Sequence, residues 1–287
     1  MQAVNATDLA AWIGRSETLR DTVGPAPVIA LNATLDHPPI DAVPGLPLPP
    51  LWHWLYFLAA HRQSEIGPDG HAKRGGFLPP VPLPRRMWAG SQFEFRSPIR
   101  IGDRVARTST IDDVSTKSGR TGQLIFVKVR HEVRCNDAAD PALVEFHDIV
   151  YREAKKPGDV DPPPQKAPEG AAWQREIVPD DVLLFRYSAL TFNGHRIHYD
   201  RRYVTEVEGY PGLIVHGPLI ATLLMDLLRR NAPQADVATF RFKAIRPTFD
   251  LHPFRVNGAP SEDGRSVHLW AQDHAGWLTM DATATLR

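Results

Sequence analysis

Hydrogen-bonding side chains are concentrated between residues 185 and 200, in the sequence FRYSALTFNGHRIHYD. Two of them, Asn193 and His198, have types and a spacing suited to proton chemistry. A histidine titrates close to neutral pH and can move a proton in either direction, whereas an asparagine can orient a water through its carbonyl oxygen but cannot take a proton. We therefore predict that His198 is a general acid/base and that Asn193 positions a water. Supporting or substrate-binding roles are predicted for the neighbours His195, Tyr199 and Asp200.

A second motif, PGLIVHGPL, begins at Pro211 and opens the most apolar helical pattern of the chain. The first N–H groups of a helix lack acceptors within the helix, and the helix dipole favours negative charge at that end. Gly217 has no Cβ, so its backbone can be approached closely. We predict that His216 and Gly217 hold the carbonyl oxygen of a substrate. A hydrogen bond to the site loop is the alternative role of His216.

Two further candidates, Arg186 and Tyr187, lie on a predicted helix that leads into the site. Tyr187 is either a packing residue or a substrate contact, and Arg186 pairs either with a carboxylate of the protein or with one of the substrate. A planar guanidinium binds a carboxylate through two hydrogen bonds, so an arginine is the residue expected to bind any carboxylate of a substrate. The candidates for that role are Arg186, Arg196 and Arg246.

The composition narrows the class of protein. Lys plus Arg and Asp plus Glu number 33 each, which gives a formal net charge of zero and argues against a mainly nucleic-acid-binding protein. The single cysteine, Cys135, excludes a disulfide framework and a multi-cysteine metal site. No stretch resembles a secretory signal or reaches about 18 apolar residues. We expect a soluble, cytoplasmic protein with no metal ligands and no membrane partner.

The pattern of apolar residues predicts the same order of elements twice. Each half contains a buried helix that is followed by strands in which apolar and polar residues alternate. In the second half, helices are predicted at 180–190 and 218–230, and strands at about 237–247, 251–259, 265–274 and 276–286. In the first half, helices are predicted at 6–15 and 51–62, and strands at 91–96, 103–113, 121–134 and 143–153.

A proline-rich linker at residues 155–171 divides the chain into residues 1–154 and 172–287, called the first half and the second half below. Proline runs continue neither a helix nor a central strand, so this linker is predicted to be extended and exposed. The two halves share a local echo, because FEFRSPIR from Phe93 resembles FRFKAIR from Phe240. A repeated order of elements indicates a repeated architecture, here a sheet wrapped around a helix in each half.

The motif from Asn193 to His198 resembles the D-x-N-P-(L/I/V)-H pattern of the MaoC-like, (R)-specific enoyl-CoA hydratases, and the stretch around His216 is similar to the start of their central helix. The segment RYSALTFNGHRIHYD resembles the sequences of the double hot-dog subgroup most. The resemblance implies an α+β double hot-dog with two long central helices, each wrapped by an antiparallel sheet. This chain has Asn193 where the pattern has Asp, and His195-Arg196 where it has Asn-Pro. Proton transfer would then fall mainly on His198, with Asp200 as the nearest carboxylate that could orient it.

The resemblance also implies a reaction and its partners. It implies reversible hydration of a 2-enoyl thioester of coenzyme A or acyl carrier protein to a 3-hydroxyacyl thioester, with a mesaconyl- or itaconyl-like acyl group and no cofactor. The first half would be a degenerate copy, and its Pro/Gly-rich insertion at 75–88 would help to cover the acyl group. A monomer or a homodimer fits two hot-dog units in one chain. A thioesterase on the same fold and a non-catalytic acyl-thioester-binding protein remain the alternatives.

Overall fold

The computed structural model describes residues 9–73, 75–119, 122–154 and 162–287. Within these residues the strands form one antiparallel sheet and three α-helices lie against it. The strands are β1 (Ser16–Thr22), β2 (Arg85–Phe95), β3 (Arg104–Gly119), β4 (Gly122–Cys135), β5 (Leu143–Arg152), β6 (Trp173–Ile177), β7 (Val237–Ala244), β8 (Phe254–Pro260), β9 (Ser266–Gln272) and β10 (Leu278–Leu286). The helices are α1 (Pro25–Thr34), α2 (Asp181–Leu190) and α3 (Gly217–Asn231).

The strand order is symmetric about the pair β2 and β7. The sheet runs β1-β3-β4-β5-β2-β7-β10-β9-β8-β6, so each half contributes five strands in the same relative order. The two echo segments are direct neighbours, since Phe93 pairs with Phe240 and their rings lie 6.0 Å apart. The repeated architecture is therefore present, and the two copies meet edge to edge as the double hot-dog expectation requires.

The central helix of the second half is α3. Its residues from Leu219 to Leu228 are buried, and it packs against β6, β8, β9 and β10. Leucines on more than one face allow it to be covered all round, while Arg229 and Arg230 lie in the last turn, where positive charge suits the helix dipole. The predictions for this helix, for α2 and for the strands of both halves are confirmed, with shifts at their ends.

The long helix predicted at 51–62 is wrong. Trp52–Leu55 form a single 3₁₀ turn, and Tyr56 is already extended. Leu51 and Phe57 have positive φ angles of 72° and 57°, which an α-helix does not allow. The apolar pattern correctly predicted burial, but aromatic residues favour a helix only weakly and a short apolar run does not distinguish a helix from other buried backbone. The first half thus lacks a long helix in this position.

Three elements were not predicted. They are the strands β1 and β6, which form the two outer edges of the sheet, and the helix α1. Helix α1 contacts α2. Of the helix predicted at 6–15, residues 9 and 10 are helical, residues 11–14 form turns, and residues 6–8 lie outside the described residues. In the linker, residues 155–161 also lie outside them, and Lys166 forms a bridge with Trp277. No helix of the described part is long and apolar enough to cross a membrane.

Candidate active site

The site loop begins at the end of α2. Asp180 caps the start of this helix by accepting a hydrogen bond from the Leu183 amide at 2.8 Å. After the last turn Phe192 adopts a positive φ of 50°, and the Asn193 amide donates to the Ser188 carbonyl at 2.8 Å. This reversal turns the chain back toward the sheet and directs the residues after Phe192 into the site.

His198 lies at the end of a 3₁₀ turn and is 7% exposed. Its Nδ1 lies 2.7 Å from the Ile214 carbonyl oxygen. A carbonyl oxygen only accepts, so the proton is on Nδ1 and the lone pair is on Nε2. Burial lowers the pKa of His198 to about 4, although the bond to Ile214 opposes this shift. The ring is therefore neutral near pH 7 and Nε2 can accept a proton.

His216 is fully buried and precedes the first residue of α3. Its ring stacks on that of His198 with centroids 3.8 Å apart, and its Nε2 lies 2.8 Å from the Ser188 hydroxyl. Burial holds the pKa of His216 well below its usual value. Its Nδ1 has no hydrogen-bond partner among the described residues. His216 thus contacts Ser188 of α2 and not the site loop, and it keeps one nitrogen for another group, so its predicted contact with a substrate stays a prediction.

Gly217 begins α3. The first intrahelical bond runs from the Ile220 amide to the His216 carbonyl at 3.1 Å, so the amides of Gly217 and Leu219 have no acceptor within the helix. A Cβ placed on Gly217 would meet its nearest neighbour, Met280 Cε, at 4.0 Å, so the space beside it is open. The helix start therefore offers amide donors beside the two stacked histidines.

Asn193 lies on the site loop and its carbonyl oxygen already has one partner, so its predicted role in positioning a water stays a prediction. Its Oδ1 accepts a hydrogen bond from the His195 amide at 3.0 Å, so this oxygen also stabilises the loop backbone. The Nδ2 group and the second acceptor position of Oδ1 remain for a water or hydroxyl.

Asp200 does not orient His198. One of its oxygens accepts two hydrogen bonds from the Arg196 guanidinium at 2.7 and 3.0 Å, and the other accepts from the Tyr203 amide at 3.0 Å. These bonds keep the pKa of Asp200 below its usual value. The carbonyl of Ile214 orients His198 instead, and Asp200 and Arg196 hold the end of the loop.

The remaining predicted residues divide into two groups. Tyr187 is buried 5.1 Å from the His216 ring, and burial raises its pKa despite a hydrogen bond with Thr222. Tyr199 is 47% exposed and donates to the Gly194 carbonyl at 2.9 Å, and Arg186 is also exposed. Tyr187 thus lines the site, while Tyr199 supports the loop.

A loop of the first half, Gly67 to Lys73, lies directly on the site loop and was missed. The Arg196 amide donates to the Asp69 carbonyl at 2.9 Å, and a Cβ on Gly70 would lie 1.7 Å from the Gly194 carbonyl oxygen. A glycine is therefore required there. The sequence signal was the turn-forming Gly-Pro-Asp-Gly, but a turn signal does not identify what the turn touches.

This loop also brings a histidine to the site. His71 lies 4.0 Å from the His195 ring, and His195 lies 5.4 Å from that of His198. Potential ligand atoms of Asp69, His71 and His195 lie within 4.8 Å of one another, which is close enough for a shared metal ion. The prediction of no metal ligands did not foresee this group.

A second polar cluster lies on the first-half sheet, under the segment that replaces the long helix. Glu145 is 4% exposed and lies 3.3 Å from His53 Nε2 and from Trp54 Nε1, and it accepts from the Ser91 hydroxyl at 3.2 Å. Burial alone would raise the pKa of Glu145, but the bond with His53 and nearby charges lower it to about 2. The cluster is a satisfied buried network around an ionised carboxylate.

The Pro/Gly-rich insertion packs on the same sheet. Val81 and Leu83 are buried with Ile111, Val127 and Tyr151. The insertion thus covers the far end of the first-half sheet. Whether it also covers an acyl group stays a prediction.

Comparisons with known proteins agree with this architecture. The family model described as hydroxyacyl-thioester dehydratase type 2 matches residues 51–250. A protein of Chloroflexus aurantiacus named mesaconyl-C(4)-CoA hydratase is 46% identical over 99% of each chain. A MaoC-like dehydratase structure from Phytophthora capsici gives a TM-score of 0.68 at 15% identity over 99% of each chain.

A Mycobacterium tuberculosis structure described as a double hot-dog gives a TM-score of 0.58 at 14% identity over 98% of each chain. At such identities the structures speak for the fold alone, and that fold is the double hot-dog. The family follows from the sequence matches. This chain has the double hot-dog fold and belongs to the hydroxyacyl-thioester dehydratase type 2 family.

Proposed function

We propose that this protein is a hydro-lyase that interconverts a 2-enoyl thioester and a 3-hydroxyacyl thioester. The observation that carries the proposal is the contact between His198 and the start of α3. A neutral histidine with a free Nε2 is stacked at 3.8 Å on His216, next to the open amide of Gly217. A base and an oxyanion-binding amide are the two groups that this reaction needs side by side.

In the hydration direction, His198 Nε2 removes a proton from a water that the Nδ2 group of Asn193 helps to orient. The resulting hydroxide adds to the β-carbon, and negative charge moves to the thioester oxygen. The Gly217 amide donates to that oxygen, and a donor of this kind is typically worth ~3 kcal/mol in the transition state. The protonated His198 then delivers its proton to the α-carbon. Dehydration follows the same steps in reverse.

The substrate class is proposed from the relative's name. A mesaconyl group bound as a thioester through its fourth carbon is a short, branched butenedioyl group that keeps a free carboxylate. We propose that this chain acts on a coenzyme A thioester of that kind, without a metal or redox cofactor, as a monomer or homodimer. Acyl carrier protein is the second carrier to be tested.

A thioesterase would need a carboxylate or another water activator on the helix that faces the thioester carbonyl, and the one carboxylate of α3 is Asp226. Asp226 on α3 has a side chain that is 1% exposed and is paired with Arg175, Arg229 and Arg230 as well as with His37. A carboxylate held by four partners is not free to activate a water.

The test is a product assay with mesaconyl-C4-CoA and crotonyl-CoA. Hydration removes the conjugated double bond and leaves the thioester intact, so enoyl absorbance should fall while no free thiol appears. Release of coenzyme A thiol would identify a thioesterase. Tight binding of both compounds without any conversion would identify a binding protein.

A further inference from the structure

Four buried polar atoms without a hydrogen-bond partner among the described residues belong to segments that border the start of α3. They are His216 Nδ1, Arg246 Nη1, Thr248 Oγ1 and Thr279 Oγ1. Thr248 and Thr279 are 3% and 1% exposed, so bulk water does not reach their hydroxyls. A fifth such atom, Asp250 Oδ1, belongs to a carboxylate that is already paired with Arg201. Buried polar groups without a partner cost free energy, and several at one place indicate that a ligand uses them.

Arg246 is a backbone neighbour of Gly217. The Val215 amide donates to the Thr248 carbonyl at 2.9 Å, and the adjacent residues form an antiparallel bridge. Counted two residues further along each segment, this register pairs Arg246 with Gly217, the first residue of α3. Arg246 therefore lies beside the amide that is proposed to bind the thioester oxygen.

The strand β10 supports the same placement. The Thr279 carbonyl accepts hydrogen bonds from the amides of Ile245 and Arg246 at 2.9 and 3.3 Å. The next residue, Met280, has the atom nearest to a Cβ placed on Gly217, at 4.0 Å. The pairing of β10 with β9 skips Thr279, and such bulges re-aim side chains and are common beside active sites.

The first half shows that these positions share one cavity. Its equivalent hydrogen bonds run from the Leu48 amide to the Ile99 carbonyl and from the Ser97 amide to the Ala142 carbonyl. They match four residues of the two halves: Pro50 with Gly217, Ser97 with Arg246, Ile99 with Thr248 and Ala142 with Thr279. All four first-half residues line a single cavity of about 600 Å³. The equivalence indicates that the four second-half residues also face one common space.

The chemistry of the four positions differs between the halves. In the first half only Ser97 has a side-chain donor, and Pro50 has no amide hydrogen. In the second half the Gly217 amide, the Arg246 guanidinium and two threonine hydroxyls are all able to donate. Donors around a permanent positive charge suit an anionic ligand, and a guanidinium matches a carboxylate with two parallel hydrogen bonds.

Arg246 is positioned by the protein but keeps a nitrogen for a ligand. Its Nη1 lies 3.8 Å from Asp273 Oδ2, an ion pair too long for a hydrogen bond. Of the other arginines predicted to bind a substrate carboxylate, Arg186 is exposed and Arg196 is engaged by Asp200. Among these three candidates, Arg246 is the one that combines a buried, unused nitrogen with a place beside α3.

We propose that Arg246, with the hydroxyls of Thr248 and Thr279, binds the free carboxylate of the acyl group and thereby selects dicarboxylic 2-enoyl thioesters. This inference rests on the proposed function. In a butenedioyl monothioester only the two double-bond carbons separate the free carboxylate from the thioester carbonyl. The group that binds this carboxylate must therefore lie near the amide that binds the thioester oxygen, and Arg246 does.

The test compares Arg246→Gln with the wild-type protein on two substrates. For mesaconyl-C4-CoA, the variant should lose about 100-fold in kcat/KM, the usual effect of removing hydrogen bonds to a charged group. For crotonyl-CoA, which has no carboxylate, kcat/KM should stay near the wild-type value. Arg246→Lys keeps the charge without the planar fork and should fall between the two proteins. Arg255→Gln is the matched control, because Arg255 also forms a long ion pair, 3.6 Å from Glu176, and its ratio between the two substrates should not change.

The threonines have a readout of their own. Thr248→Val and Thr279→Val each remove a hydroxyl that stabilises nothing in the free protein, so the melting temperature should not fall. For mesaconyl-C4-CoA, kcat/KM should fall by about 10-fold in each variant, roughly the worth of one hydrogen bond. A lower melting temperature with unchanged kinetics would exclude the hydroxyls from the site.

Two results would overturn the assignment of Arg246. An equal loss with both substrates would mean that Arg246 contacts a part that the two thioesters share. A selective loss in Arg186→Gln, with Arg246→Gln unaffected, would assign the carboxylate to Arg186. Calorimetric binding of both thioesters keeps the test independent of turnover. If neither compound is hydrated but Arg246→Gln selectively weakens mesaconyl-C4-CoA, the proposed function fails and the carboxylate site stands.

Discussion

The turn that leads into the central segment differs between the two halves. In the second half, the Val215 amide donates to the Thr248 carbonyl, and the two residues after Val215 are His216 and Gly217. In the first half, the Leu48 amide makes the equivalent bond to the Ile99 carbonyl, and the two residues after Leu48 are Pro49 and Pro50. Proline has no N–H, so the first half offers no amide donor at the place where Gly217 has one.

The loop after the first helix differs as well. His37 occupies the position of Asn193, since each donates its amide to a carbonyl of the preceding helix. The His37 ring, however, lies 2.6 Å from Asp226 and 2.7 Å from Arg229 of α3. In the first half this position is part of an ionic contact with the second half, and in the second half it is part of the site.

Space alone does not explain the difference. A pocket of about 600 Å³ lies beside the two prolines, between them and the Met225 and Arg229 side chains. This volume is sufficient for a ligand. The second half therefore differs from the first in the amide donor of Gly217 and in the open Nε2 of His198, and not in the presence of a cavity.

The largest expected effect is a difference in kcat between variants of His198 and His37. His198→Ala should lower kcat by about 1,000-fold, within the usual range for removing a general acid/base. His37→Ala should keep near-normal kcat and lose some thermal stability, because Asp226 would lose one partner. Circular dichroism and steady-state kinetics of both variants check this. Near-normal turnover in His198→Ala with intact folding would remove His198 from the mechanism.

The second prediction concerns Gly217, which is replaced by the proline found at the equivalent position of the first half. Gly217→Pro removes one amide donor and should lower kcat by about 100- to 1,000-fold. Gly217→Ala keeps that donor and adds only a Cβ with open space beside it, so it should be much less affected. Equal losses in the two variants would show that bulk, not the amide, matters at this position.

The third prediction concerns Asn193. Asn193→Ala removes the acceptor for the His195 amide, together with the Nδ2 donor, and should lower kcat by about 10-fold, roughly the worth of a typical hydrogen bond. Asn193→Asp keeps the acceptor and should retain more activity than the alanine variant. Stopped-flow kinetics of both variants provide the comparison, and an alanine variant as active as wild type would exclude a role for this residue.

The fourth and smallest effect at neutral pH involves both halves. Burial lowers the pKa of His198 to about 4, that of His131 to about 4 and that of His147 to about 3, all below the ordinary histidine value. These rings are neutral in the folded protein, but they bind protons once unfolded below about pH 6.5. Stability should therefore be full above pH 6.5 and fall progressively toward pH 4. Melting temperatures measured across this range check the direction, and a melting temperature that rises with acidity would contradict it.

The secondary structure of the second half was predicted better than that of the first, because the apolar patterns of the second half are local in the sequence. Leucine spacing in α3 and alternation in β7 to β10 follow from burial on one face or all round. The strand β1, SETLRDT, is an edge strand with little apolar alternation, so no periodic signal marks it. The segment at 51–62 has the composition of a buried helix, but Leu51 with its positive φ prevents one.

The site was predictable where the motif itself carries the chemistry. The two motifs predicted that His198 and His216 lie together, and their rings do stack on each other, while their catalytic and binding roles stay predictions. The position of Asp69 and His71 beside His195 was not predictable, because these residues reach the site loop only through the pairing of the two halves. No spacing in the chain encodes that contact, and it required the structure.

Hydration in D₂O tests the central claim most directly. We expect the intact protein to convert mesaconyl-C4-CoA into a 3-hydroxyacyl thioester that carries one non-exchangeable deuterium on its α-carbon, with the thioester bond unbroken. His198→Ala should form this product far more slowly, whereas His37→Ala should form it at nearly the wild-type rate. Free coenzyme A as the product, or undiminished labelling by His198→Ala, would contradict the account.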